Sequence, residues 1–208
     1  KNSKGELLQP NAQPGDVRFK DMNGDGVIDE DDKTYSGTGI AKVEANLNLG
    51  ASYKGFDFSA VIGSAFGNKL YNGIRYYYEG MNSGSNFLKT TLNAWTPTNT
   101  KTDIPRAVFG DPNQNTREST RFLENGDFVR LRQVQLGYTL PKALSKHIYC
   151  ESIRFYVSAE NVFTITGYSG ANPEFSQGVL NSGVDRFTYP FSRSYTVGAP
   201  VSYTHLTL

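Results

Sequence analysis

The sequence predicts an all-β chain, the antiparallel wall of a transmembrane β-barrel, on three observations. Apolar and polar residues alternate with period two along several long stretches. Short and long connections between those stretches alternate, as the turns and loops of a membrane barrel do. Aromatic residues gather where the stretches end. The composition agrees: 13 Tyr, 13 Phe and 21 Gly stand against two Met and one Trp, the usage of strands and turns rather than of helices.

Residues 43–53 alternate without interruption, with Val43, Ala45, Leu47, Leu49, Ala51 and Tyr53 opposite Glu44, Asn46, Asn48, Gly50 and Ser52. Lys54-Gly55 suits a tight turn, and Phe56, Phe58, Ala60, Ile62 and Phe66 then continue an apolar face, so 43–66 reads as a long hairpin. A third strand runs from Phe128 to Leu140, cleanest in Val134, Leu136, Tyr138 and Leu140, and Pro141 stops it. A fourth runs from Ile153 to Ile165. A fifth begins near Arg193 and continues through Tyr195 and Val197. Segments 67–127 and 166–191 are left as long loops with little regular structure, which a compact soluble domain rarely tolerates. Each strand reaches the roughly 9 to 11 residues that cross a bilayer at a tilt. Tyr53, Phe56 and Tyr138 at the short turns, and Tyr71, Tyr76, Tyr77 and Tyr78 towards a long loop, suggest two interfacial girdles. A soluble β-sandwich would give the same alternation. Five strands cannot close a barrel, so the chain reads as a fragment.

Composition narrows function. Lys and Arg number 21 against 20 Asp and Glu, a formal charge of +1, which gives no footprint for binding polyanions. No run approaches the roughly 18 apolar residues of a membrane helix, and Lys1-Asn-Ser-Lys-Gly has no signal-peptide core. The single Cys150 forbids an intramolecular disulfide. His147 and His205 support neither a zinc site nor a catalytic triad, so no enzyme is expected.

One motif carries metal chemistry. Residues 21–32 follow the start of a calcium loop, D-x-[DN]-x-[DN]-G. Asp21, Asn23 and Asp25, the Val27 carbonyl and Asp32 would present oxygens to a hard cation. Asp29 would contribute through water, and Gly26 stands at the sharp bend. Position 12 is Asp rather than Glu, which makes bidentate ligation less certain. The alternative is an acidic turn without metal. A bound Ca2+ would be structural, since nothing nearby resembles a nucleophile or base. Among aromatic candidates for a substrate, Tyr76, Tyr77, Tyr78 and Trp95 could stack on sugar rings, although girdle and loop-anchoring roles compete. Glu124-Asn-Gly-Asp127 reads as a turn that starts a strand.

Several stretches resemble one family: Pro14-Gly-Asp-Val-Arg-Phe-Lys-Asp-Met-Asn-Gly-Asp-Gly-Val-Ile-Asp29, Tyr53-Lys-Gly-Phe-Asp-Phe58 and Asn68-Lys-Leu-Tyr-Asn72. Trp95-Thr-Pro97, Asp103-Ile-Pro-Arg106, Phe128-Val-Arg-Leu-Arg132 and Leu136-Gly-Tyr-Thr-Leu-Pro141 follow. Last come Arg154-Phe-Tyr-Val-Ser-Ala-Glu-Asn-Val-Phe-Thr164, Tyr189-Pro190 and Ser192-Arg-Ser-Tyr-Thr-Val-Gly198. Together they resemble the C-terminal part of SusC/RagA-type TonB-linked outer-membrane proteins, importers of glycans or peptides. The resemblance implies a barrel of about 22 strands, with residues 1–199 as C-terminal strands and loops. It places the 14–38 acidic loop and segments 67–127 and 166–191 outside the cell, where substrate and a SusD-like surface lipoprotein are engaged. Coupling to TonB would use a plug and N-terminal region outside this chain. Residues 200–208 depart from the family pattern, because Pro200 interrupts the last strand, and are expected to be a non-native tail. The reading from another functional class is a secreted calcium-dependent β-sandwich binding module. Exposure or burial of the apolar strand faces separates the two.

Overall fold

The structure, a computed structural model, describes residues 4–80, 84, 86–147, 149–175 and 181–203. The chain divides into two compact units: 40–69, 125–175 and 188–203 form one, and 4–39, 70–124 and 181–187 form the other.

The first unit is an antiparallel sheet built from the predicted strands. β1 (Val43–Tyr53) and β2 (Phe56–Phe66) meet at Lys54-Gly55. Both turn residues have positive φ, 46° and 88°, the left-handed pair that matches strand twist in a two-residue hairpin. β5 (Phe128–Thr139) pairs with β2, and β6 (Ser152–Thr166) with β5. β8 (Ser194–Gly198) and β9 (Val201–Ser202) both pair with β6, giving the order β1-β2-β5-β6-β8 with β9 beside it. The fifth predicted strand is thus split at Ala199-Pro200, where proline offers no N–H to the ladder. Residues 204–208 of the expected tail lie outside the described residues. The β5–β6 connection contains a short helix, α2 (Lys142–His147), that the alternation did not predict.

Register gathers the apolar residues in rows. Tyr53, Phe56, Tyr138 and Phe155 stand side by side, then Ala51, Phe58, Leu136, Val157 and Val197, and Leu49, Ala60, Val134, Ala159 and Tyr195. Further along, Val61 faces Gln133 but Ile62 faces Leu131, so Arg132 is an extra residue in β5. This bulge switches the apolar positions of β5 from 134, 136 and 138 to 129 and 131, and the face continues as Leu47, Ile62, Leu131 and Phe163. Leu47, Phe58, Leu136, Val157, Phe163 and Val197 are 39% to 82% exposed. Apolar side chains of a soluble sandwich would be buried under a second layer; these are open, so the sandwich alternative is not met.

The opposite face is polar and locally closed. Arg130, 4% exposed, donates from Nε to Thr164 (2.8 Å), from Nη1 to Glu174 (2.9 Å) and from Nη2 to Asn172 (2.5 Å). Arg132 donates to the other oxygen of Glu174 at 2.8 Å, and its guanidinium lies where any side chain at Gly63 would stand. Towards the short turns the Arg154–Asp57 pair crosses Gly137, where a Cβ would enter the pair.

The second unit replaces the expected loop of little regular structure. β3 (Lys69–Asn72) lies between β4 (Leu123–Asn125) and β7 (Val184–Asp185), running parallel to β7, and leads into α1 (Gly73–Tyr78). Asn72 Oδ1 caps α1 by accepting the Arg75 N–H at 3.1 Å. Phe122 is wholly buried, with the Tyr76 ring 5.5 Å and the Tyr71 ring 6.1 Å away. The expected upper girdle is therefore corrected: Tyr71 and Tyr76 pack around Phe122 as a small core, and Tyr77 and Tyr78 pack on Phe187. Burial pushes the Tyr71 phenol well above its ordinary pKa. Among the described residues no helix is long and apolar enough to cross a membrane.

Candidate functional site

The acidic loop is a closed ring. Asp21 accepts the N–H groups of Gly24 (2.6 Å) and Gly26 (2.9 Å), Asp25 accepts that of Val27 (2.8 Å), and Asn23 accepts that of Asp25 (3.0 Å). Gly24 and Gly26 have φ of 81° and 87°, a backbone that a side chain would strain. The far end folds back: Asp32 takes the Met22 N–H at 2.6 Å and the Asp29 N–H at 3.0 Å, and these two bonds hold its carboxyl below the ordinary value. Asp29 in turn caps the short 3-10 turn Glu30–Asp32. Asp29 and Asp32 thus have a structural task that the calcium spacing did not reveal. Arg117 steadies the ring by donating to the Ile28 carbonyl at 3.0 Å. Ile28 lines a cavity of about 370 Å³ with Phe19, Met22, Tyr71 and Leu123. Asp21, Asn23, Asp25, Asp29, Asp32 and the Val27 carbonyl can all offer oxygen, the chemistry of a hard cation. Among the described residues no three acidic, histidine or cysteine side chains converge as a cage, so Asn23 and carbonyl oxygens would have to complete the coordination.

Beside the ring, residues 9–20 are threaded through a polar lattice. Asp16 accepts Arg106 Nε (2.6 Å), Asn115 Nδ2 (2.9 Å) and the Gln13 N–H (2.9 Å). Burial raises the Asp16 carboxyl, but these bonds and the Arg106 charge outweigh it and hold the pKa below the ordinary value. Trp95 packs against Gly15, whose φ is 90°, and the Arg106 N–H donates to the Gly15 carbonyl at 2.9 Å. Trp95 therefore anchors the 14–18 segment, a loop-anchoring role. It also lines a cavity of about 530 Å³ with Phe19, Arg18, Lys20, Asp103 and Arg121. Ser119 Oγ and Arg121 Nε, both on residues lining this cavity, are buried without a hydrogen-bond partner.

Sequence reasoning missed the carboxylates that organise the two units. Glu79, its side chain 1% exposed, receives Arg75 (2.9 Å) and Arg121 (2.7 Å), and Glu124 receives Arg75 at 3.1 Å. Glu174 plays the same part for Arg130 and Arg132. These partners are 42 or more positions apart except for Arg75 and Glu79, and no local spacing announces them. The candidates Tyr76, Tyr77 and Tyr78 do not share the Trp95 cavity lining, and of the three only Tyr77 is exposed, at 54%.

An antiparallel sheet with long strands, an open apolar face and a polar face crossed by ion pairs defines a stretch of membrane-barrel wall. No family model matches the chain. It is similar to TonB-dependent receptor P3 of Formosa agariphila, 30% identical over 204 residues, 94% of this chain and 20% of the relative. It is similar as well to TonB-dependent receptor SusC of Bacteroides thetaiotaomicron, 26% identical over 95% of this chain and 19% of the relative. Among solved structures, the RagAB peptide transporter superposes with a TM-score of 0.71 at 31% identity, over 90% of this chain and 20% of that one. The "closed-closed" state of the RagAB peptide importer gives 0.70 with the same coverage. The chain belongs to the TonB-dependent receptors of the SusC/RagA type. It spans about a fifth of the length of the relatives it matches.

Proposed function

We propose that this chain is a wall-and-loop portion of an outer-membrane importer of oligosaccharides or peptides, and that it performs no enzymatic step. The observation that carries the reading is the open apolar face of rows such as Phe58, Leu136, Val157 and Val197. In water such a face would be costly, and hydrocarbon removes the cost. The relatives bear receptor and importer names, which supports the same reading. A SusD-like lipoprotein is the partner proposed for the second unit, and TonB the partner of segments outside this chain; similarity to a structure named the RagAB peptide importer supports this reading. Deleting the gene for the full-length receptor should abolish uptake of one labelled oligosaccharide or oligopeptide class, and reintroducing it should restore uptake. Unchanged uptake of both classes would refute the importer.

Calcium belongs to the proposal as a structural ion. Asp21, Asn23, Asp25, the Val27 carbonyl and Asp32 would hold it, with Asp29 through water, and it would offset the repulsion among the carboxylates of 21–32. The closed ring and its all-oxygen donors support the fit. Asp25→Ala in the full-length protein should weaken calcium binding at least about tenfold, one ligand's share of a site tuned by ligand charge, and speed proteolysis within 14–38. An unchanged calcium titration would remove the ion from the account.

A further inference from the structure

We propose that the short-turn end of the large sheet carries a docking site for the headgroup of an anionic glycerophospholipid. The inference rests on the membrane-wall reading above and adds a ligand to it. Two turns meet at this end: the Thr139 N–H donates to the Gly55 carbonyl at 2.7 Å, tying the β1–β2 turn to the segment that enters α2. Lys54, in the turn, and Lys142, the first residue of α2, are both exposed. Lys54 Nζ stands 5.2 Å from the Tyr53 ring centroid. Against these two lysines the same end carries the single exposed carboxylate of Glu151, among the described residues of 54–55 and 140–151. Asp57, the nearest strand carboxylate, is already paired with Arg154, on the polar face that alternation sets opposite the Phe56 row.

The same end of the sheet carries a row of rings. Tyr53, Phe56 and Phe155 are more than half exposed, and the Phe56 and Tyr138 rings are 4.4 Å apart. Leu144 of α2 and Tyr149 are exposed as well. One ammonium group over an exposed ring, a second exposed lysine on the segment tied to the same turn, and an apolar face running on from the rings match a molecule with a phosphate at one end and hydrocarbon at the other. Free phosphate would meet the lysines and gain nothing from the belt, so the lipid is the occupant chosen.

Native mass spectrometry of the full-length receptor in neutral detergent tests the site, with phosphatidylglycerol and phosphatidylethanolamine titrated in parallel. The wild type should retain phosphatidylglycerol preferentially. Lys54→Gln and Lys142→Gln should each weaken retention about five-fold, while Lys142→Arg preserves it and inorganic phosphate does not displace the lipid. Equal retention of the two lipids, full retention by the glutamine variants, or displacement by inorganic phosphate would overturn the site. Carbonate-resistant insertion into vesicles is read alongside. Insertion without phosphatidylglycerol preference defeats the headgroup site alone, and failure to insert defeats the membrane reading with it.

Discussion

Among the described residues, buried arginines and carboxylates are compensated by several donors converging on one carboxylate. Glu79 accepts from two arginines and from Thr90 Oγ1, and Glu174 from two arginines. Removing one member of such a set leaves its partner buried and uncompensated, which costs about 3 kcal/mol or more. Asp16 is the same device in the second unit, with a side chain 1% exposed against an Arg106 side chain 18% exposed. Its folded-state pKa lies below the ordinary 3.8, so its contribution is fully present above that value and is lost as pH falls through the folded value. Asp16→Asn keeps the shape but removes the charge. It should destabilise the 9–20 segment by about 3 kcal/mol at neutral pH and flatten the acid dependence below pH 3.8. Protease nicking of that segment across a pH series in the full-length protein measures both; a variant that keeps the wild-type acid transition would assign the transition to another group.

At the level of elements, legibility followed the range of the interactions. β1 and β2 were readable to the residue because one period-two pattern fixes strand, face and register together. The extent of β5 was readable to within a residue, but its alternation of faces only at its end, since the extra Arg132 reverses the parity of the apolar positions halfway along. The small sheet was not readable: β4 and β7 have three and two residues, too few to show a period, and β3 joins β7 through Tyr71 and Val184, far apart in the chain. In the acidic loop, composition and spacing located the oxygens but not the reciprocal Asp29 and Asp32 bonds that shape its end. The bulge gives a sharp contrast between two changes at one position. Arg132→Ala removes only the bond to Glu174 and should assemble nearly as the wild type. Deleting Arg132 would rotate Val129 and Leu131 to the polar side and Arg130 to the apolar one, so the amount of full-length receptor recovered in outer-membrane fractions should collapse. Equal recovery of the two variants would mean that the register is set elsewhere.

On the scale of the molecule, everything depends on which solvent meets each face of the large sheet. Val157 sits between Leu136 and Val197 and is 50% exposed, while Ser158, one position along, lies between Gln135 and Thr196 on the other face. In a soluble protein an exposed valine accepts a charged replacement almost without cost, because water solvates the charge. In a barrel wall the same change puts a cation into hydrocarbon at about 2 to 4 kcal/mol near the midplane, whereas the lumen side accepts it. Val157→Arg, one row in from the aromatic belt at Phe155, should therefore lower the stability of the full-length receptor by part of that amount, about 1 to 2 kcal/mol, and Ser158→Arg should leave it nearly unchanged. Chemical unfolding in lipid vesicles provides the measurement. The asymmetry is the diagnostic quantity, since two neighbours on one strand share backbone, register and depth and differ only in the face they present. If both substitutions cost the same, the two faces meet the same medium, and the assignment of one of them to lipid fails.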